Sequence, residues 1–343
     1  MGTPITDVLI TKELKIEDLK GKTLAVDAFN MLYQFLSTIR QRDGSLLMDS
    51  KGHVTSHLIG LFSRVTKLMI EDLKLVFVFD GIVPKQKFQE RERRKDAKIL
   101  AQKKYEEAKQ EENVEDMKKF ASRTSRLNSE MIEDAKKLIT ALGMPIVDAA
   151  SEGEAQASYM VKQGDCYAII SQDTDSLVFG ATRVVKNLTL GGKRKGPGQF
   201  AYKTVNPVLI ILEDNLKELK LSQDQLIVLA MLAGTDYNIG GVKGIGPKKG
   251  LKLLYEYGED FETIFKEAGW DENFNFPWKE IFDLFKNMPI TKDYELEWKT
   301  PDKDALVELL VKGHDFGLER VEKTVDKLLK GKPNKQQKSL FDF

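Results

Sequence analysis

Three short apolar runs in this sequence each stop at acidic residues. Thr23-Leu-Ala-Val closes on Asp27, and Leu75-Val-Phe-Val-Phe closes on Asp80. Tyr167-Ala-Ile-Ile-Ser-Gln closes on Asp173 and Asp175. Runs this short and this apolar fit strands covered on both faces, as in a parallel sheet. The segments between them carry apolar residues at helical spacing, over Met31–Arg40, Ser56–Leu73, Ser129–Leu142 and Ser151–Gln163. Two further strands are predicted at Met144–Asp148 and Arg183–Leu188, and the chain after residue 207 reads as mostly helical. Alternation of this kind predicts a doubly wound α/β core. The acids then gather at the carboxyl edge of the sheet, where such sheets bind ligands.

Glu152 and Glu154 follow the apolar Met144-Pro-Ile-Val, and Asp236 follows the run from Leu226 to Thr235, which brings the set to seven carboxylates. Packed together they repel, and hard divalent cations such as Mg²⁺ relieve the repulsion through oxygen ligands. Two such ions about 4 Å apart activate a water and stabilise the leaving oxygen in phosphodiester hydrolysis. Taken singly, each acid has a plainer explanation. Ser151 and Glu154 have the spacing of a capping box, and Asp173 and Asp175 suit a turn. No such explanation covers all seven.

The net charge of zero excludes a uniformly basic nucleic-acid coat. The basic residues are instead concentrated locally: nine basic against three acidic residues lie between Lys85 and Lys104. That stretch cannot enter a core, and is either a solvated helix or a surface that holds a single strand by its phosphates. Lys87 and Arg94 are seven residues apart, so one helix face presents both to a scissile phosphate. Gly241-Val-Lys-Gly244-Ile-Gly246-Pro-Lys248-Lys249-Gly250 reads as a helix-hairpin-helix. Its glycines let backbone approach a phosphate, and the following helix offers its N-terminal amides. Nothing in it reads bases, so its grip is independent of sequence. The plainer alternative is a tight turn between packed helices.

Cys166 is the only cysteine, which rules out an intrachain disulfide and fits a reducing compartment. The first residues lack a secretory pattern, and no apolar run has the length of a membrane span. His53 and His57 have i, i+4 spacing, but with no third zinc ligand in view they read as part of a helix start. Tyr33, on the first helix near Asp27, is placed either to stack on a base or to pack. The tail Gln337-x-x-Leu340-Phe341-x-Phe343 reads as a frayed end or as a short docking peptide.

In their order these motifs resemble those of the flap endonuclease family of structure-specific 5′ nucleases, archaeal type. The match runs through Val26-Asp27-Ala28, Phe79-Asp80-Gly81, Glu152-Gly-Glu154-Ala, Asp173-Thr-Asp175-Ser and Gly234-Thr-Asp236-Tyr. The resemblance implies a PIN-like α/β core with a mostly parallel sheet, a helical arch and a helix-two-turn-helix. It implies two Mg²⁺ ions, with Mn²⁺ as a substitute, and K⁺ at the hairpin. One Mg²⁺ would lie mainly with Asp27, Asp80, Glu152 and Glu154, the other with Asp173, Asp175 and Asp236. Lys87 and Arg94 would act in catalysis on a gateway helix, with Tyr33 beside them. Arg40, Arg64, Gly234, Gly244, Gly246, Lys248 and Lys249 would contact DNA, together with Glu152 and Asp236. The tail resembles a sliding-clamp box, with Gln337, Leu340, Phe341 and Phe343 as its contacts. Thr6 stands where the family commonly has glycine, and the box ends in one final aromatic, Phe343, instead of two.

The expected organisation is a nuclease region at 1–98, a charged arch at 99–126 and a second nuclease region with the hairpin at 127–258. A helical region at 259–332 and a tail at 333–343 follow. The expected activity is cleavage of 5′ flaps and 5′–3′ exonucleolysis in Okazaki fragment maturation and base excision repair. The enzyme would be a cytoplasmic monomer acting on flap and nicked DNA, with no membrane partner; a eukaryotic chain would be nuclear. Sister nucleases for nicks, bubbles or four-way junctions are the near alternatives. A non-catalytic, clamp-bound DNA scaffold is the distant one, and a scaffold has no use for seven clustered acids.

Overall fold

The computed structural model describes residues 3–189, 192–195 and 202–330; the clamp-box residues Gln337, Leu340, Phe341 and Phe343 lie outside them. The strands are β1 (Lys12–Glu13), β2 (Thr23–Asp27), β3 (Lys74–Phe79), β4 (Ile146–Asp148), β5 (Ala168–Ile170), β6 (Arg183–Lys186), β7 (Gly192–Lys195), β8 (Tyr202–Val205) and β9 (Val208–Ile211). Seven of them form one sheet in the order β1-β9-β6-β5-β2-β3-β4. It is parallel from β6 to β4, while β9 pairs antiparallel with β6, and β1 antiparallel with β9.

The apolar runs are continuous because both faces of the sheet are covered. Ala25, Val76, Val78 and Ile169 point into one core, which also holds helices Gly153–Gln163 and Gln223–Ala233. Their neighbours Leu24, Val26, Leu75, Phe77, Phe79, Ala168 and Ile170 point into the other, against helices Ala28–Thr38 and Ser129–Ala141. The period-two alternation was hidden in the sequence because both phases are apolar.

One strand differs from the sequence expectation. The chain after 207 opens with strand β9 before turning helical. Strands β7 and β8 pair antiparallel as a separate two-stranded unit. Asp236 lies in the loop after helix Gln223–Ala233, which is the apolar run that precedes it. The basic stretch is helix Phe88–Gln110, which packs against the short helix Val114–Ala121. It runs unbroken past residue 98.

Beyond the helical region, residues 289–302 carry no regular secondary structure and return along the sheet. Thr291 N–H donates to Gln156 Oε1 at 2.6 Å, and Gln156 Nε2 donates to the Thr291 carbonyl at 2.8 Å. Trp298 Nε1 donates to the Leu75 carbonyl at 2.9 Å. This strap carries the chain from the first core to the second, where Leu306, Leu310, Val321, Val325 and Leu328 complete the packing.

Candidate active site

Strands β5, β2 and β3 are neighbours, so their carboxyl ends bring the Asp173 loop, Asp27 and Asp80 to one edge. Asp27 ends β2 and caps the next helix, its Oδ1 accepting from Asn30 N–H at 3.0 Å. The Asn30 amide group spans the gap to β5. Its Nδ2 donates to Asp173 Oδ2 at 3.0 Å, and its Oδ1 accepts from Gln172 N–H at 3.2 Å. Asp80 Oδ1 accepts from Gly153 N–H at 2.7 Å. A Cβ at position 153 would stand 2.7 Å from that oxygen, so glycine between the two glutamates lets Asp80 reach the backbone. Asp175 Oδ1 accepts from the Thr3 backbone N–H at 2.6 Å and from the Thr3 hydroxyl.

The capping-box reading of Ser151 and Glu154 fails. Ser151 Oγ donates to the Ile82 carbonyl at 2.8 Å, and Glu152 is the cap residue of helix Gly153–Gln163 without a side-chain cap bond. Glu154 is instead committed to the acid cluster, with a buried Oε1 that has no hydrogen-bond partner.

The electrostatics follow from burial and crowding. Burial, then Asp80, pushes the Asp27 carboxyl up to about 8. Burial, then Asp173, lifts Asp175 to about 6. Asp80, Glu152 and Glu154 are raised as well, chiefly by burial, and Glu154 is also crowded by Asp175, Asp27 and Asp173. Two cations from the charged helix region enter this field. Lys87 Nζ lies 2.6 Å from Glu152 Oε2 and 3.2 Å from Asp236 Oδ2. Burial works against its charge, yet Glu152 and Asp236 raise its pKa and hold it protonated. Arg94 Nη2 lies 2.6 Å from Asp236 Oδ1, while its Nε donates to Glu90 Oε1 at 2.6 Å.

All seven predicted acids therefore converge, and Lys87 and Arg94 reach them. Tyr33 is half-buried, with Lys98 Nζ 4.7 Å from its ring centroid. Arg40 and Arg64 are engaged elsewhere. Arg40 donates to the Gly44 carbonyl at 2.8 Å and to Ser125 Oγ at 2.7 Å, and Arg64 donates to the Thr189 carbonyl at 2.8 Å. In the hairpin, Gly244, Gly246, Lys248 and Lys249 are exposed, and Pro247 begins helix Pro247–Tyr257. Gly234 has φ 113°, and a Cβ there would stand 2.7 Å from Gly241 N, so the loop before the hairpin closes only on glycine. Sequence reasoning missed Asn30, Thr3 and Glu90. Of these only Asn30 left a trace, three residues after an acid that could cap its helix.

Comparison with known proteins decides the family. The XPG N-terminal domain matches residues 4–101, and the XPG I-region matches residues 143–236. Flap endonuclease 1 of Pyrococcus abyssi is 49% identical over 330 residues, covering 96% of this chain and 94% of that protein. The chain belongs to the flap endonuclease 1 family. The flap endonuclease-1 structure from Methanococcus jannaschii superposes with a TM-score of 0.75 at 41% identity, covering 96% of this chain and 98% of that one. The catalytic core of Rad2 in complex with DNA substrate gives a TM-score of 0.68 at 25% identity, covering 93% and 96%. The family is a nuclease family, so the chain is a structure-specific 5′ flap endonuclease and 5′–3′ exonuclease of Okazaki fragment maturation and base excision repair. Its fold is the family's mixed α/β nuclease fold around a mostly parallel sheet.

Proposed function

We propose that the seven acids hold two Mg²⁺ ions, with Mn²⁺ as a substitute, and that Lys87 and Arg94 supply positive charge to the scissile phosphate. The reading rests on one observation: five of the seven carboxyls are pushed above their ordinary range, and two cations fold into their midst. A site built only to be stable would not crowd so many buried acids. The unpartnered Glu154 Oε1 and the all-oxygen donor set fit a hard divalent cation. Asp27, Asp80, Glu152 and Glu154 would hold one ion, and Asp173, Asp175 and Asp236 the other. When bound, the ions lower the pKa of a water and neutralise charge on the phosphate.

The chain's own groups do the positioning. Asn30 fixes the spacing between Asp27 and Asp173, Gly153 fixes Asp80, and Thr3 fixes Asp175. Lys87 and Arg94 exchange their present carboxylate partners for phosphate oxygens as the strand enters, and Glu90 keeps Arg94 aimed inward. Tyr33, beneath Lys98, lies where a base beside the cut stacks. The exposed hairpin around Gly244, Gly246, Lys248 and Lys249 takes the duplex phosphates and a K⁺ ion. Gly234, Arg40, Arg64, Glu152 and Asp236 complete the DNA contacts. The tail, through Gln337, Leu340, Phe341 and Phe343, docks on a sliding clamp. The enzyme acts as a cytoplasmic monomer. The test is cleavage of flap, nick, bubble and four-way-junction DNA with Mg²⁺ or with chelator. Preferred, Mg²⁺-dependent cutting of flaps is expected, and full activity in chelator overturns the metal reading.

A further inference from the structure

The chain has three histidines, and they cluster far from the acids just described. His53 lies in the hairpin that follows helix Ala28–Thr38, where Met48 bridges Val54. His314 follows the Val307–Gly313 segment, 261 positions later. Both turn Nδ1 toward one oxygen: Asp49 Oδ2 is 3.0 Å from His53 Nδ1 and 3.1 Å from His314 Nδ1. The three ligand atoms lie within 4.8 Å of one another. The far side of each ring also faces a carboxylate. Glu130 Oε1 is 3.8 Å from His53 Nε2, and Asp134 Oδ2 is 3.4 Å from His314 Nε2.

A neutral imidazole has a single N–H and can serve only one of its two carboxylates. An ion among the two Nδ1 atoms and Asp49 Oδ2 would leave each Nε2–H facing its outer carboxylate. That arrangement has a familiar chemistry. Histidine ligands to a transition metal commonly donate their other N–H to a carboxylate, which fixes tautomer and ring orientation. Bonds of about 2.0–2.1 Å in a tetrahedral site give ligand–ligand edges of roughly 3.3 Å. The edges of 3.0 and 3.1 Å are close to that. His57 adds an independent sign. It is 1% exposed beside Asp134 and His314, and burial holds its imidazole well below the usual range, to about 4. A cavity of about 150 Å³ bordered by His53, Glu130, Asp134 and His314 gives access.

We propose that Asp49, His53 and His314 form a structural site for a divalent transition ion, zinc first, distinct from the nuclease carboxylates. His53 finds its histidine partner not in His57, four residues on, but in His314, supplied by the fold. The ion ties the hairpin to the C-terminal helices. The two are already joined by Asp315 Oδ2, which accepts from Ser50 N–H at 2.7 Å. Arg40 bridges Leu46 at the other end of the same hairpin, so the ion steadies a segment that carries a proposed DNA contact. Mixed nitrogen and oxygen donors select zinc or cobalt over Mg²⁺, whereas the nuclease acids offer only oxygen.

The test is titration of chelator-treated, full-length protein with Co²⁺ under saturating Mg²⁺, read by visible absorption. One tight equivalent with the strong bands of a low-coordinate ion is expected, displaced by Zn²⁺. His314→Gln should weaken uptake by about 100-fold or more, and Glu130→Gln by about 10-fold, as for a lost carboxylate partner of a ligand. His53, with a side chain 43% exposed, provides His53→Gln as a second ligand variant should His314→Gln fail to fold. Circular dichroism and a cooperative melt report that each variant is folded. Failure of the wild type to take up Co²⁺, or equal uptake by a folded ligand variant, overturns the site and leaves both histidines as hydrogen-bond partners of Asp49.

Discussion

Replacing Asp175 with asparagine should abolish cleavage and yet stabilise the metal-free protein. Burial, with Asp173 beside it, lifts the Asp175 carboxyl from 3.8 to about 6. Each pKa unit is worth about 1.4 kcal/mol, so ionising this group inside the fold costs on the order of 3 kcal/mol. A carboxyl whose folded pKa exceeds its unfolded one keeps its proton longer in the native state. The stability it lends is full below its ordinary pKa of 3.8 and is lost as pH rises through about 6. Asparagine does not titrate, and its carbonyl still accepts from Thr3. The stabilisation of Asp175→Asn over wild type should be near zero below about pH 4 and on the order of 3 kcal/mol above about pH 7. With an unfolding entropy of about 2.1 cal/mol/K per residue, a chain of 343 residues should gain about 4 °C in Tm. Calorimetry in chelator across that pH range measures the effect. Excess Mg²⁺ should reverse the order, because wild type then gains binding energy that the variant lacks. A variant that melts level with wild type at every pH in chelator would refute the claim that crowded charge dominates this site.

Lys87→Ala or Arg94→Ala should each slow single-turnover cleavage by about 10²-fold, the usual cost of losing one donor to a developing charge; a loss confined to DNA affinity would reduce them to steering groups. Replacing Lys248 and Lys249 together with alanine should weaken binding alike on all duplex sequences. The slope of log affinity against log salt should become shallower by about one to two units, and an unchanged slope places the duplex elsewhere. Deleting Gln337–Phe343 should leave free-enzyme cleavage unchanged and remove stimulation by a sliding clamp, with calorimetric titration of clamp as the check; equal clamp affinity for both forms rules the tail out.

Asp27, Asp80 and the Asp173 loop were legible because strands buried on both faces write themselves as apolar runs whose C-terminal ends meet solvent, whereas Glu152, Glu154 and Asp236 flank helices. Lys87 and Arg94 stood out by charge density, but not as one helix face, since Lys87 lies in the turn Lys85–Lys87 before helix Phe88–Gln110 and only Arg94 lies in the helix. What stayed hidden depends on long-range contact. Strand β9 is four residues long and lies antiparallel beside β6, so nothing local separates it from the start of a helix. Thr3 meets Asp175 across 172 positions, and such a pairing leaves no periodicity behind. Glu90 sits among basic residues and reads as one more surface charge, yet it is 3% exposed because Arg93 and Arg94 fold over it. The spacing of Ser151 and Glu154 misled for the opposite reason, since a local rule was satisfied while tertiary contacts claimed both side chains.

The strap at residues 289–302 bears on how the enzyme comes into being. The core behind Asp27 and Asp80 is sealed by Leu306 through Leu328, which reach it only by way of that strap. A ribosome working at about 5–20 residues per second delivers the sealing helices roughly 15–60 s after Asp27 emerges. Until then the second core is open, and its acids lack a rigid edge to sit on. A chain cut short before residue 306 lacks the side chains that complete that core.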